Sequence, residues 1–397
     1  MRPAFGVVLR GYRTTLGMTQ EELADRSGLS VRAIRNLEIG RTERPQRQSI
    51  TLLATALHLT EPDHANLLAA AGRNHPHQGR CELPPDVPGL VGRDADTIIR
   101  MLTTPGPRLA LVTGGPGVGR TALATHVAHR VRDRYPDGQV YADLEGTPSV
   151  DAVLGRVLRS LGATHLPATR DERASLLRAD LAARRVLVVL DNVASEAQLR
   201  PLLATGAASA ILATSRRELV ALPGAYPVRL DPLTDDEARE MLFRLVGHRI
   251  PAAPAATRAV LDACAGLPLA LHIAGTWLAT RPHRPVADLA TLLADGDLVL
   301  DRLTVADLSM RASIAAHVAV LRPDERWLLH QLGHLPVLRP VELSRRLTMI
   351  EPALRDGLDG LTQANLLAPL TQGYRMNHLV RRYAREEGGL PRLRAAT

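Results

Sequence analysis

No lysine occurs anywhere in the 397 residues, so all 49 side chains of the Lys and Arg class are arginine. Arginine must then take every task that usually falls to lysine, phosphate binding included. Together with abundant Ala, Leu, Gly and Pro, this is the signature of a GC-rich coding sequence. Aromatic residues are also scarce, at 3%. Cores must therefore be built from Leu, Val and Ala, which favours helices and buried parallel strands over an aromatic-rich sandwich. The two cysteines, Cys81 and Cys264, lie far apart. They exclude a disulfide framework and a cysteine metal cluster, and they fit a reducing compartment. No apolar run approaches the roughly 20 residues that span a bilayer. The apolar start, Ala4 to Leu9, is too short for a signal-peptide core. A soluble, cytoplasmic protein with no membrane partner is expected.

The length implies two to four domains. A net charge of +8 permits a polyanionic partner without demonstrating one. Residues 1–73 read as short helices. Asn74 to Pro88 (NHPHQGRCELPPDVP) reads as a linker, being rich in Pro, His and Gly. Beyond it, apolar runs alternate with amphipathic stretches. The candidate strands are Leu109–Thr113, Gln139–Leu144, Val186–Leu190, Ala210–Thr214 and Tyr226–Leu230. Continuous apolar strands alternating with helices predict a parallel sheet between helical layers. Helices dominate after Thr234, with a break near Arg281–Pro285 and a last periodic segment from Met376 to Glu387.

The segment Thr19–Gly40 reads TQEELADRSGLSVRAIRNLEIG. Thr19 with Glu22 makes a capping box for a first helix, and Leu23 and Ala24 face inward. Gly28 allows a tight turn and Leu29 anchors it. Ser30 caps a second helix that buries Ile34 and Leu37. The opposite face presents Val31, Arg32, Arg35 and Asn36, as a recognition helix does when its first turns enter the major groove of double-stranded DNA. Arg can pair with guanine and Asn with adenine. Residues 1–80 hold 11 arginines and 7 acids, a net of +4, so the electrostatic support is modest. This segment resembles the phage-repressor-like (XRE) helix-turn-helix family over residues 4–73. The resemblance implies that Gln20 contacts backbone phosphate and that Val31, Arg32 and Asn36 face bases. Arg35, Arg41 and Arg47 would sit near phosphates, and Ser30 belongs to the same DNA-contacting set.

Residues Gly114–Thr121 read GGPGVGRT, after the strand LALVT and before the helical ALATHVAHRV. The spacing is that of G-x-x-x-x-G-K-[ST], whose backbone N–H groups wrap phosphates at a helix N-terminus. Gly114, Gly115, Gly117, Val118, Gly119, Arg120, Thr121 and Ala122 form the expected cofactor-binding stretch. Thr121 offers a hydroxyl to Mg²⁺. Arg120 stands where the template has lysine; it is longer, planar and forked, and need not fit the same hole. The strand VLVVLDN, residues 186–192, ends in Asp191. Alone, an aspartate there is equally a turn residue. With the loop at this spacing it is the candidate Mg²⁺ partner and the one candidate catalytic residue. Asn192 follows where hydrolysing relatives often carry a second acid, and an amide cannot act as a base.

Further motifs line up: LVGRDAD (90–96), ILATSRR (211–217), VRLDPLTDDEAREML (228–242), CAGLPLALHIAG (264–275) and YRMNHLVRRYA (374–384). In this order they resemble the NB-ARC branch of the STAND signalling NTPases over residues 84–387. That family folds as a P-loop α/β domain, a helical lid and a winged helix that close over ATP or ADP. The resemblance implies a helix-turn-helix domain at 1–73, a linker at 74–88, a nucleotide-binding domain at 89–232, a lid at 233–300, a winged helix at 301–390 and a tail at 391–397. It places Val91 and Arg93 along adenine and ribose, Arg216 at the γ-phosphate and Pro268 on the adenine. The family's Met-His-Asp reads Met376–Asn377–His378 here. Asn377 keeps a hydrogen bond but no charge. Such proteins commonly carry C-terminal sensor repeats, whereas this sequence ends ten residues after Glu387.

The expectation is a DNA-binding transcriptional regulator switched by adenine nucleotide, able to associate with itself or with a partner protein when open. Two alternatives stay open. One is an ATPase whose turnover is the activity, at most a weak one given Arg120 and Asn192. The other is a nucleotide-locked scaffold that recruits a partner.

Overall fold

The computed structural model describes residues 5–39, 47–60, 63, 67, 81–87, 89–104, 108–146, 149–203, 208–335 and 339–388. By its contacts the chain divides into two compact units, Met1–Cys81 with Pro136–Gly138, and Glu82–Tyr135 with Gln139–Thr397.

The first unit is helical: α1 (Phe5–Thr15), α2 (Gln20–Ser27), α3 (Val31–Glu38) and α4 (Arg47–Ala56). Leu9, Leu23, Ile34, Ile50 and Leu53 are fully buried at its centre. The caps form as the sequence predicts. Thr19 Oγ1 accepts from Glu22 N, and the Glu22 carboxylate accepts from Thr19 N. Gly28 takes the left-handed conformation, φ 71°, that ends α2 at little steric cost. Ser30 Oγ accepts from Ala33 N at 3.2 Å to open α3. A methyl group on Gly6 would lie 2.4 Å from Glu38 O, so α1 approaches α3 at a point where only glycine fits.

The second unit is built on a five-stranded sheet of β1 (Leu109–Gly114), β2 (Gly138–Asp143), β3 (Val186–Val193), β4 (Ala210–Ser215) and β5 (Ala225–Leu230), in the order β2-β3-β4-β1-β5. The pairings β1–β4, β1–β5 and β3–β4 are parallel. All five candidate strands are in this sheet. The period-2 geometry sorts their apolar residues between two cores. Leu109, Leu111, Val186, Val188 and Leu190 meet helices α7 (Val150–Ser160) and α8 (Arg170–Ala183) on one face. Ala110, Val112, Leu187 and Val189 meet α5 (Ala95–Thr103) and α6 (Arg120–Val131) on the other. Pro227 lies in β5, the edge strand, where a missing N–H disrupts no ladder.

After β5 come α10 (Asp235–Val246), α11 (Pro254–Cys264), α12 (Pro268–Ala279), α13 (Val286–Ala294), α15 (Met310–Val318), α16 (Pro323–Gly333), α17 (Pro340–Leu347), α18 (Glu351–Gln363) and α19 (His378–Gly388). The short helices α9 (Glu196–Leu199) and α14 (Val299–Arg302) complete the numbering. The expected break at Arg281–Pro285 falls between α12 and α13. Two hairpins were not foreseen, β6–β7 (Thr304–Val305 with Leu308–Ser309) and β8–β9 (Ala368–Leu370 with Gly373–Arg375). Strands of two and three residues are too short to show alternation. One continuous apolar core runs from Leu233 to Ala384. It encloses Cys264, whose thiol burial pushes up to about 12. Among the described residues no helix is long and apolar enough to cross a membrane.

Candidate functional site

On α3 the 3.6-residue period turns Ile34 and Leu37 inward. Arg32 and Arg35 are exposed and Asn36 is half-buried. Val31 keeps 39% of its surface in solvent. Among the described residues Arg32 and Arg35 make no hydrogen bond or ion pair, and both are exposed. Gln20, expected at phosphate, spends one of its two amide N–H groups within the unit. Its Nε2 donates to Glu38 Oε2 at 2.7 Å, tying α2 to α3. Arg13 grips the same carboxylate through two nitrogens at 2.6 and 3.1 Å. Burial would raise the Glu38 carboxyl, but the hydrogen bonds from Arg13 and Gln20 outweigh it and hold the group below its usual range. This Arg13–Glu38–Gln20 tie joins residues 18 and 25 positions apart, a separation no local pattern reveals. Arg41 lies outside the described residues. Arg47 opens α4, and nothing is described of its side chain.

In the second unit, β1 ends in Gly114 and α6 begins at Arg120, with Gly119 at its N-terminus in a left-handed conformation, φ 92°. A methyl group on Gly117 would lie 2.9 Å from Met310 Cε and 3.1 Å from Leu269 Cβ. The loop is therefore covered closely by segments from two later parts of the chain. Leu269 N donates to Gly117 O at 3.0 Å, setting the start of α12 on the loop, and Pro268 lies against Gly119.

Two strands away, the β3–β4 register shifts between Leu190 and Val193, with Asn192 at φ 57°. Such a bulge re-aims the side chains beside it. Asp191 is buried and accepts from Thr121 Oγ1 at 2.9 Å and Tyr141 OH at 3.1 Å, and also from Thr214 Oγ1. Thr214 Oγ1 in turn accepts from Asn192 N at 3.0 Å, which fixes its direction. Burial, and then the Asp191 charge, push the Tyr141 phenol well up, so it stays a donor. Asn192 Nδ2 donates to Asp143 Oδ1 at 2.9 Å. The structure thus brings the sequence-predicted pair Thr121 and Asp191 together. It adds Tyr141 and Asp143, which no motif marked, and Thr214, which lies within ILATSRR but had been given no role. Among the described residues no group of three or more His, Cys, Asp or Glu converges as a metal cluster. A hydroxyl and a carboxylate in contact do suit Mg²⁺, which keeps waters and takes its remaining ligands from phosphate.

Arg120 turns its guanidinium back along the loop. Nη1 donates to Gly115 O at 2.7 Å, to Gly114 O at 2.5 Å and to His317 Nε2 at 3.1 Å. Burial, then the nearby Arg216 charge, lowers it to about 10, against the opposing pull of Asp191. Arg216, at the end of β4, pairs with Glu145 and donates to Ala316 O at 3.3 Å. Arg93 donates to Val118 O at 2.9 Å and Asp231 O at 3.0 Å, and burial lowers it. Val91 is half-buried.

A cavity of about 820 Å³ opens beside the loop, lined among others by Gly115, Pro116, Val118, Asn365, Met376 and Asn377. That volume is in the range of small-molecule sites, roughly 300–1,000 Å³. Asn365 Oδ1 is buried without a hydrogen-bond partner among the described residues, an unspent acceptor at the cavity. Asn377 Nδ2 donates to Ala265 O at 3.4 Å and Asn377 Oδ1 accepts from Leu379 N, so the residue caps α19 as well as lining the cavity. His378 faces Ala263 O at 3.3 Å. Val91, Arg93, Arg120, Thr121 and Pro268 are not in the cavity wall. Arg216 and Asn192 line a second cavity of about 620 Å³.

A helix-turn-helix domain model matches residues 4–67, and an NB-ARC domain model matches residues 92–250. The chain carries these two domains in that order. The regulatory protein AfsR of Streptomyces griseus is 39% identical over 319 residues, which are 77% of this chain and 33% of that protein. The protein of the same name from Streptomyces coelicolor is 38% identical over 287 residues, 70% of this chain and 29% of its own length. The chain thus spans about a third of the length of these relatives. Among solved structures, a Walker-type ATPase of Pyrococcus abyssi is 14% identical, with a TM-score of 0.49, over 77% of this chain and 99% of that one.

Proposed function

We propose that this chain is a DNA-binding transcriptional regulator whose DNA affinity or assembly is set by ATP or ADP held in its NB-ARC module. The observation that carries the reading is the convergence at the phosphate loop. Thr121 touches Asp191, Arg120 and Arg216 approach each other closely enough to interact electrostatically, and α12 and α15 cover the glycines. The relatives' names, both regulatory proteins, support the same reading. So does the exposed face of α3; in this reading Val31, Arg32 and Asn36 turn toward bases and Arg35 toward phosphate.

The site residues take the following roles. The backbone N–H groups of residues 115–121 and the N-terminus of α6 receive phosphate oxygens. Arg120 and Arg216 neutralise their charge. Thr121 and Asp191 would hold Mg²⁺, which would supply charge neutralisation to the phosphates. Arg93 fixes the segment before α5 to Val118, and Val91 with Pro268 flanks the base. The division into a nucleotide-binding domain at 89–232, a lid at 233–300 and a winged helix at 301–390 belongs to the same proposal. Leu269 and Met310, packed on Gly117, are the segments whose displacement would open the loop to exchange of its occupant. Nucleotide then shifts the closed-to-open population only by its difference in affinity for the two states.

The experiment is a DNA selection followed by mobility shift with ATP–Mg²⁺ and with ADP. The expected result is one selected sequence bound with different affinity in the two states. Equal affinity and equal stoichiometry would overturn the switch.

A further inference from the structure

Ala316 and His317 belong to none of the motifs, yet they stand side by side in the last turn of α15. Each holds one arginine of the phosphate site. Ala316 O accepts from Arg216 Nη1 at 3.3 Å, and His317 Nε2 faces Arg120 Nη1 at 3.1 Å. The state of the ring follows from the partners of its two nitrogens. Nδ1 lies 3.1 Å from Ser313 O and Nε2 lies 3.4 Å from Gly114 O; both carbonyls only accept, but Arg120 Nη1, 3.1 Å from Nε2, only donates, so the arginine and the shorter carbonyl contact together place the proton on Nδ1. Nε2 is then a lone-pair acceptor for the guanidinium. Burial, with the Arg120 charge next to it, drives the ring's pKa down to about 3, so it stays neutral. The Ala316 carbonyl is among the last of its helix, where no N–H remains to take it and where the helix dipole is negative. One helix end therefore offers two acceptors, one residue apart, to two cations.

Arg120 spends a single nitrogen on three contacts: Gly114 O, Gly115 O and His317. Its Nε and Nη2 have no hydrogen-bond partner among the described residues. That edge of a guanidinium can grip two oxygens at once. A lysine ammonium is a compact point charge and needs no orientation about its own axis. An arginine in the same position is planar, and its grip depends on which edge faces the ligand.

We propose that His317 is the positioning residue for the phosphate-loop arginine: it pins Nη1 and so presents the Nε–Nη2 edge to the phosphates of a bound nucleotide. The proposal rests on the nucleotide-binding reading above. It makes α15 part of the phosphate site, so an arginine serves where the loop template has lysine only while that helix is docked.

The test uses the full chain and a fluorescent ATP analogue, with adenosine as competitor. His317→Leu removes the acceptor. His317→Gln keeps an oxygen for Arg120 and an N–H for Ser313. Both are repeated in an Arg120→Lys background. His317→Leu is expected to weaken ATP about tenfold, the scale of one charge-assisted hydrogen bond, and to leave adenosine competition unchanged. His317→Gln restores binding, and in Arg120→Lys the His317→Leu effect vanishes. Unchanged ATP affinity in His317→Leu overturns the proposal. Tighter ATP binding also overturns it, since His317 would then be holding Arg120 away from phosphate. An equal loss for adenosine, or a loss that persists in Arg120→Lys, reduces His317 to a packing residue. A wild-type chain that binds no ATP removes the nucleotide reading itself, and this proposal with it.

Discussion

On α3 of the first unit, Arg32 and Arg35 are exposed and make no hydrogen bond or ion pair among the described residues. Around the phosphate loop of the second unit, Arg93, Arg120 and Arg216 turn inward onto backbone carbonyls. The chain has no lysine to divide these tasks, so one side chain performs both. The exposed arginines keep full hydration and rotamer freedom, which suits a partner that arrives from outside. The inward ones are desolvated and fixed, and for Arg120 the cost is visible in a pKa lowered to about 10. Carbonyl dipoles and a neutral imidazole, rather than a direct ion pair, hold that charge. Whether an arginine recognises or is pre-positioned is decided by the acceptors around it.

The comparison can be broken most severely by removing the mount on which the exposed arginines stand. Gly6→Ala places a methyl 2.4 Å from Glu38 O and 2.5 Å from Leu37 O. Backbone cannot yield as a side chain does, so the first unit is expected to lose about 3 kcal/mol, the upper end for overpacking. Thermal unfolding with DNA binding as a second readout checks this; unchanged stability would mean that α1 and α3 are not so close. Arg32→Ala sharpens the contrast. It should cost about 1–3 kcal/mol of discrimination between the selected sequence and others, while leaving nucleotide binding untouched. A uniform loss on all DNA would place Arg32 on phosphate instead.

The smallest effect is a pH dependence. The His317 ring has a folded pKa near 3, below its usual value of 6.5. The unfolded chain takes up this proton first, so the contribution to stability is fully present above pH 6.5 and is lost as pH falls from there toward 3. Between pH 7.5 and 5.5 the wild type should lose about 1 kcal/mol more than His317→Gln. Urea unfolding at the two pH values reads the difference. Parallel losses in the two proteins would mean that the ring is not held neutral.

The parts legible in the sequence are those written locally. The capping box of Thr19 and Glu22, Gly28 at its left-handed turn, and five apolar runs for five strands follow from residues within a few positions of one another. The phosphate loop and its pairing with Asp191 were legible because their spacing forms a template. Tyr141, Thr214 and His317 were not, because they reach Asp191 or Arg120 across 50, 23 and 197 residues. His317 did leave one sign. In RASIAAHVAV it sits seven residues after Met310 and three after Ile314, on the buried stripe of α15. A histidine at a core position needs partners, and here they are Ser313 O, Arg120 and, at 3.4 Å, Gly114 O. Gln20 adds a second case: its place in the helix-turn-helix suggested phosphate, and one of its two amide N–H groups also reaches Glu38, 18 residues away, a contact the motif does not show.

The central claim is that arginine at position 120 performs the phosphate-binding task in this lysine-free chain. The most direct measurement is the nucleotide content of the freshly purified protein, released by denaturation and resolved by ion-exchange chromatography, with Arg120→Ala alongside. The account predicts bound ADP or ATP in the wild type and its loss in the variant. A wild type that is empty and also fails to take up added ATP–Mg²⁺, or a variant that retains its nucleotide, would contradict it.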